Sequence, residues 1–261
     1  MNKADNFTLR TVSGLILLFL VIFCLYMAGY YFYFLMLSLS SIALYEMLSV
    51  LSNKKIDLIE FFVLEGINIL ILLGAYIKRL DLPLFSVFLL VALFLIYGVF
   101  DENFDIRNIF KLVFSTVYIS VPIAFLLSLN GTFYAWMVFG CGFGTDTFAY
   151  LGGMFLGKHK LLERVSPKKT VEGALSGIAG CLATCLVLAL ILKFKIDLKF
   201  AFIAILGSVI SQLGDLSASN IKRKIGIKDY GNIIKGHGGV IDRIDSILFV
   251  SSFIYFAYII N

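Results

Sequence analysis

Apolar residues run along this chain in long stretches broken by short polar or charged intervals, from residue 12 to the end. A helix that crosses bilayer hydrocarbon needs about 20 such residues (roughly 17–25), and it satisfies its backbone N–H and C=O groups internally. The pattern predicts nine of these helices, over 12–28, 30–51, 58–77, 84–100, 108–129, 132–156, 172–194, 200–217 and 244–260. The expected fold is therefore an all-α polytopic integral membrane protein. The first stretch follows Lys3 and Arg10, as a signal peptide would. However, Met27-Ala28-Gly29-Tyr30 leads straight into more apolar sequence without a small-residue cleavage site, so it reads as a retained helix.

Composition narrows the picture. Of 261 residues, 60% are hydrophobic and 15% charged, and mean hydropathy is +0.96. A soluble domain carries about 25% charged residues, so this chain lacks the polar surface to be one. Disordered, collagen-like and disulfide-scaffold classes are excluded as well. Nine helices leave only short loops, so any chemistry must be built from loops and helix ends at the membrane surface. The four cysteines, Cys24, Cys141, Cys181 and Cys185, lie in apolar stretches without zinc-type spacing and read as buried thiols. Two histidines, His159 and His237, are too few for a histidine metal site. A nucleic-acid partner is not expected.

Charge placement gives an orientation. With the N-terminus in the cytoplasm, all but five of the 22 Lys and Arg residues fall on the inner side. The exceptions are Lys78, Arg79, Lys193, Lys195 and Lys199. Cytoplasmic loops are enriched in Lys and Arg, so the expectation is N-terminus inside and C-terminus outside. Residues 1–131 form one expected region, about five spans with thin loops and no constellation that reads as chemistry. Residues 132–261 form the other, about four spans with the two long basic cytoplasmic segments, 157–171 and 218–243.

The second region holds the candidate chemistry. Ser211–Asp245 reads SQLGDLSASNIKRKIGIKDYGNIIKGHGGVIDRID. At 3.6 residues per turn, Asp215, Ser219, Lys222 and Arg223 share a helix face, with the carboxylate deepest in the membrane. Lys228, Asp229 and the loop Gly236-His237-Gly238-Gly239 follow, and glycines suit a backbone wrapped around an anion. Asp242-Arg243-Ile244-Asp245 then opens the last span. Four carboxylates among six cations point to a metal–polyphosphate site, because Mg²⁺ takes carboxylate oxygens and bridges phosphates while Lys and Arg neutralise the remainder. A solvated basic loop would explain the cations alone. It does not explain Asp215 near the bilayer, where a charge costs about 2.5–3.5 kcal/mol.

Gly140–Gly173 is the other informative segment. Asp146 lies inside an apolar span, where an acid is a functional candidate by default. Ser166 reads as a helix cap with Pro167 at the first helical position, so that Lys168, Lys169 and a helix N-terminus would attract phosphate. Gly152 to Lys158 matches GxxxxGK, but His159 follows where a P-loop needs Ser or Thr, and no strand precedes it, so that reading is rejected. Gly153-xxx-Gly157 and Gly173-xxx-Gly177 match a close-packing motif for contacts within or between subunits. Glu46, Glu60, Glu65 and Glu172 are further acids in or beside spans. Glu172 reads as support for the cytoplasmic site, while Glu60 and Glu65 have no assigned role.

These residues carry a resemblance. The run S-x-x-K-R-x4-K-D-x-G-x5-G-H-G-G-x-x-D-R-x-D, Ser219 to Asp245, resembles the signature of the bacterial phosphatidate cytidylyltransferases, the CDP-diacylglycerol synthases. Asp146-Thr147-x-Ala149-Tyr150-x-x-Gly153, Gly157-Lys158 and Ser166-Pro167-Lys168-Lys169-Thr170-x-Glu172-Gly173 are similar to the same family. Lys235 stands where that family usually has Pro. The resemblance implies transfer of CMP from CTP to phosphatidic acid, releasing pyrophosphate, with Mg²⁺, and leaves a second, monovalent cation open. It also implies a homodimer in the bacterial cytoplasmic membrane with its active site facing the cytoplasm. On that reading Asp215, Asp242 and Asp245 are metal-associated carboxylates and Asp146 contributes. Lys222, Arg223, Lys228 and Arg243 hold phosphates, together with Ser166, Lys168 and Lys169. Ser219, Asp229, His237, Gly238 and Gly239 shape the substrate pocket. The alternatives are a CTP-dependent lipid-alcohol kinase, which would release CDP, and a membrane transporter, for which no internal repeat is visible.

Overall fold

The computed structural model describes residues 3–52, 56–79, 81–101, 105–232 and 238–260, with side chains in the first helix from residue 14 onward. Ten α-helices and one small hairpin make up the described chain. In order these are α1 (Lys3–Met27), α2 (Gly29–Leu51), α3 (Leu58–Tyr76), α4 (Asp81–Phe100), α5 (Ile106–Ser115), α6 (Val121–Ser128), α7 (Phe133–Leu156), β1 (Lys160–Leu162), β2 (Ser166–Thr170), α8 (Val171–Ile191), α9 (Leu198–Ile225) and α10 (Ile241–Ile259). A π-helical turn, Thr116–Ser120, joins α5 to α6, so Ile106–Ser128 acts as one span.

Among the described residues, six helices are long and apolar enough to cross a membrane: Gly29–Leu51, Leu58–Tyr76, Asp81–Phe100, Ile106–Ser128, Val171–Ile191 and Leu198–Ile225. Gly14–Met27 is a shorter apolar stretch. Helices α7 and α10 are long but less greasy, α7 because of its glycines and Thr145-Asp146-Thr147, and α10 because it opens on Asp242-Arg243-Ile244-Asp245. The chain is thus a mostly helical membrane protein. Phe19, Phe85, Phe88 and Phe202 are among many large apolar side chains left exposed, a surface made for lipid.

The all-helical expectation needs one correction. Residues 160–170 form an antiparallel hairpin in which Lys160 pairs with Thr170 and Leu162 with Ser166. Ser166 is therefore not a helix cap, and Pro167 lies in a strand. A two-stranded sheet is all edge, so the N–H that Pro lacks is not missed. Lys160 Nζ also donates to the Pro167 carbonyl at 2.7 Å. The cap of α8 is Thr170, whose Oγ1 accepts from the Gly173 N–H at 3.1 Å.

The chain divides into two compact units, residues 1–130 with 229–242, and residues 131–228 with 243–261. Leu44, Met47, Leu64, Ile71, Leu72, Leu112, Ile119 and Leu126 are buried in the first. Polar ties cross its core. Lys111 Nζ pairs with Glu60 at 2.6 Å and donates to Ser52 Oγ at 3.1 Å. Ser41 Oγ donates to Glu65 at 2.5 Å, and Asn68 Nδ2 donates to Ser40 Oγ at 2.9 Å. Glu60 and Glu65 thus join helices of this unit.

In the second unit α7 and α8 approach closely because glycines face each other. A Cβ on Gly173 would lie 2.7 Å from the Ala149 carbonyl and 3.2 Å from Gly153 Cα. One on Gly177 would lie 3.1 Å from the Thr145 carbonyl. Both close-packing motifs are therefore used within the chain. Helix α9 runs unbroken through residue 225, and Gly226, at φ 79°, ends it in a left-handed turn.

Candidate active site

The second unit gathers a carboxylate cluster from three helices. Asp146 comes from α7, Asp215 from α9 and Asp245 from α10. Asp245 is buried, its Oδ1 accepting the Ser246 N–H at 2.8 Å. Ser246 Oγ donates to Asp146 Oδ2 at 3.4 Å. Ser219, one turn beyond Asp215, donates its hydroxyl to Asp215 Oδ1 at 3.4 Å. The helical face expected from spacing is thus real at its inner end.

Cations oppose these acids. Lys169, on β2, forms an ion pair with Asp215. Lys222 is buried on α9 and acts on Asp245 across the cluster, as Asp215 and Asp146 do. Arg243 acts on Asp146. Asp245 is buried, Asp215 half-buried and Asp146 exposed, and like charges that act on one another are costly unless positive charge is supplied. Carboxylate oxygens are the donors a hard divalent cation takes; among the described residues no three of them lie within 4.8 Å of one another.

Beside the cluster opens a cavity of about 410 Å³. Asp146, Asp215, Ser166, Lys168, Lys169 and Gln212 are on its wall. Its lining also includes Tyr150, Met154 and Leu161. Its wall thus combines carboxylates and two ammonium groups with apolar side chains, a lining suited to an amphiphile with a phosphate head. The hairpin presents Ser166, Lys168 and Lys169 to it, so the structure unites the two sequence segments through a strand rather than a helix start. Gln212 was not expected; its Nε2 donates to the Ala174 carbonyl at 3.1 Å.

Other expected residues lie elsewhere in this unit. Arg223 is exposed, its guanidinium donating to the Ile227 carbonyl at 3.4 Å, and Lys228 is exposed. Glu172 serves the loop before the hairpin. It accepts the N–H groups of Lys158 and His159 at 3.0 and 3.2 Å and contacts His159 Nδ1 at 2.6 Å.

The first unit holds the glycine-rich segment. Asp242 Oδ2 accepts the N–H groups of Tyr230 and Gly239 at 2.9 and 3.1 Å, pinning the segment's two ends together. Gly238 sits at φ 84°, and its missing Cβ would lie 3.6 Å from Asp229. His237 falls outside the described residues. Sequence reasoning noted Glu46 as an acid in a span but gave it no role. This buried acid of α2 accepts the N–H groups of Val240 and Ile241, each at 3.0 Å. Any Cβ on Gly231 or Gly239 would collide with its carboxylate. The available signal was an acid within an apolar span.

Known proteins resemble this chain along nearly its whole length. The model of the cytidylyltransferase family matches residues 8–260. A phosphatidate cytidylyltransferase of Bacillus subtilis (strain 168) is 33% identical over 95% of this chain and 96% of its own. Those of Staphylococcus saprophyticus and Staphylococcus aureus (strain COL) are 34% and 31% identical, each over 92% of this chain and 95% of theirs.

Proposed function

The chain belongs to the cytidylyltransferase family, and from that premise we infer that it transfers CMP from CTP to phosphatidic acid. A phosphate oxygen of phosphatidic acid forms the new bond to the α-phosphorus of CTP. The bond from that phosphorus to the bridging oxygen breaks, and pyrophosphate leaves with the electron pair. The products are CDP-diacylglycerol and pyrophosphate. An ionised phosphate needs no strong base, so the protein's task is positioning and neutralisation of charge.

The observation that carries this reading is the cavity whose wall combines Asp146, Asp215, Lys168 and Lys169 with the apolar Tyr150, Met154 and Leu161. Lys169 and Lys168 hold phosphate oxygens there, with Lys222 and Arg243 offsetting the cluster's charge. Asp215, Asp245 and Asp146 would hold Mg²⁺, which neutralises nucleotide oxygens when bound. Carboxylate oxygens are the donors that ion takes. A metal role for Asp242, phosphate roles for Arg223 and Lys228, and pocket roles for Ser219, Asp229, His237, Gly238 and Gly239 follow from the family resemblance. So does a homodimer. Nine spans follow from the apolar pattern, a cytoplasmic N-terminus from the Lys and Arg asymmetry, and an active site facing the cytoplasm of a bacterial inner membrane from the family resemblance.

The test is nucleotide release by protein purified in detergent. Pyrophosphate must appear only when CTP and phosphatidic acid are both present, stop on chelation and return with Mg²⁺. Release of CDP with an isoprenoid alcohol, and none of pyrophosphate with phosphatidic acid, would replace this reading by a lipid kinase.

A further inference from the structure

Three of the four cysteines converge at one point in the second unit. Cys141 comes from α7, and Cys181 and Cys185 from successive turns of α8. All three are fully shielded from solvent. Cys141 and Cys185 have their sulfurs 3.7 Å apart, and all three sulfurs lie within 4.8 Å of one another. The site is built around sulfur. A Cβ on Gly207 would sit 2.9 Å from Cys141 Sγ, and one on Gly140 would sit 3.3 Å from Cys185 Sγ. Glycine at both positions leaves the room these atoms occupy. Thr145 Oγ1 donates to Ser208 Oγ at 2.8 Å, and Cys181 Sγ donates to the Ala204 carbonyl at 3.3 Å.

Buried cysteines commonly serve as small apolar side chains. Scattered packing does not require three sulfurs on a common point, however. We propose that Cys141, Cys181 and Cys185 form a binding site for one thiophilic d¹⁰ cation, Zn²⁺ or Cu⁺. A Zn–S bond of about 2.3 Å places tetrahedral sulfurs about 3.8 Å apart and trigonal ones about 4.0 Å apart. The observed pair and the outer limit of the trio bracket both. Sulfur selects these cations over the hard Mg²⁺ that the carboxylates take. Each thiol that ligates as thiolate gives its proton to water. Two thiolates and one thiol on Zn²⁺, or one thiolate and two thiols on Cu⁺, leave no net charge, which suits an apolar interior. The bound ion would join α7 to α8. The proposal does not rest on the transferase reading.

The experiment is metal analysis of full-length protein purified in detergent without chelator, from cells grown with added zinc or, separately, added copper. The expected result is about one ion per chain from one of the two cultures, with three sulfur neighbours at about 2.3 Å by X-ray absorption if it is zinc and an all-sulfur shell if it is copper. C181A, checked for a single monodisperse species, should carry none, while C24A should match the wild type. Wild-type protein free of metal from both cultures would overturn the proposal. So would metal with no sulfur shell, or a mass two hydrogens lighter, which would mark a disulfide. The wild-type measurements decide the matter even if C181A fails to fold.

Discussion

Glu46 is the residue whose replacement should be felt most sharply by the glycine-rich segment. Its two oxygens take the N–H groups of Val240 and Ile241 at 3.0 Å each, at the N-terminus of α10. Both donors belong to buried residues, so water does not readily replace the lost acceptor. A hydrogen bond to a charged group contributes about 1.5–3 kcal/mol. Glu46→Ala removes two, for a local cost of about 3–6 kcal/mol. Glu46→Gln keeps one acceptor and turns an amine toward the other N–H, for about 2–3 kcal/mol. Amide hydrogen exchange reads this directly, because the Val240 and Ile241 amides exchange only when the contact opens. A cost of about 3 kcal/mol speeds their exchange by roughly a hundredfold. The glycines supply a cross-check. Gly231→Ala forces a Cβ into the same carboxylate, so its effect should shrink in the Glu46→Ala background. Unchanged exchange at Val240 and Ile241 in both Glu46 variants would refute the reasoning.

Three further outcomes are expected. Asp245→Asn should lower CMP transfer by about 10²–10³-fold, as loss of a preorganised charge does, while the protein stays monodisperse; a change under threefold would remove Asp245 from the machinery. Lys111→Ala breaks a shielded ion pair with Glu60 and should cost about 3–5 kcal/mol, seen as a lower melting temperature, whereas Lys111→Met with Glu60→Gln should recover most of it; no recovery would deny that the pair is the cause. Gly173→Ala meets the Ala149 carbonyl and should cost about 1–3 kcal/mol. Gly66→Ala meets nothing within 4 Å and should gain about 0.5–1 kcal/mol from helix propensity, so equal melting shifts for the two would contradict the packing described.

What was legible in the sequence was local. The face carrying Asp215 and Ser219 follows from helical periodicity alone, and α9 realises it as one unbroken helix. The intramembrane position of Asp146 signalled chemistry because a charge there is costly. Ser166-Pro167 misled, since a serine before a proline reads equally well as a helix start. The pairing of Lys160 with Thr170 depends on a partner strand too short to announce itself. Glu46 meets amides 194 and 195 residues away, and no periodicity reports such a contact. The cysteines at 141, 181 and 185 lack metal-site spacing in sequence and come together only because α7 and α8 pack through glycines.

The most direct measurement supplies phosphatidic acid, Mg²⁺ and CTP labelled both at the α-phosphate and in the base, and follows each label into the lipid phase. Equal entry of both labels, with one pyrophosphate released per lipid, is the predicted result, because a whole CMP unit moves. Entry of neither label into lipid, from folded protein with both substrates present, would contradict it.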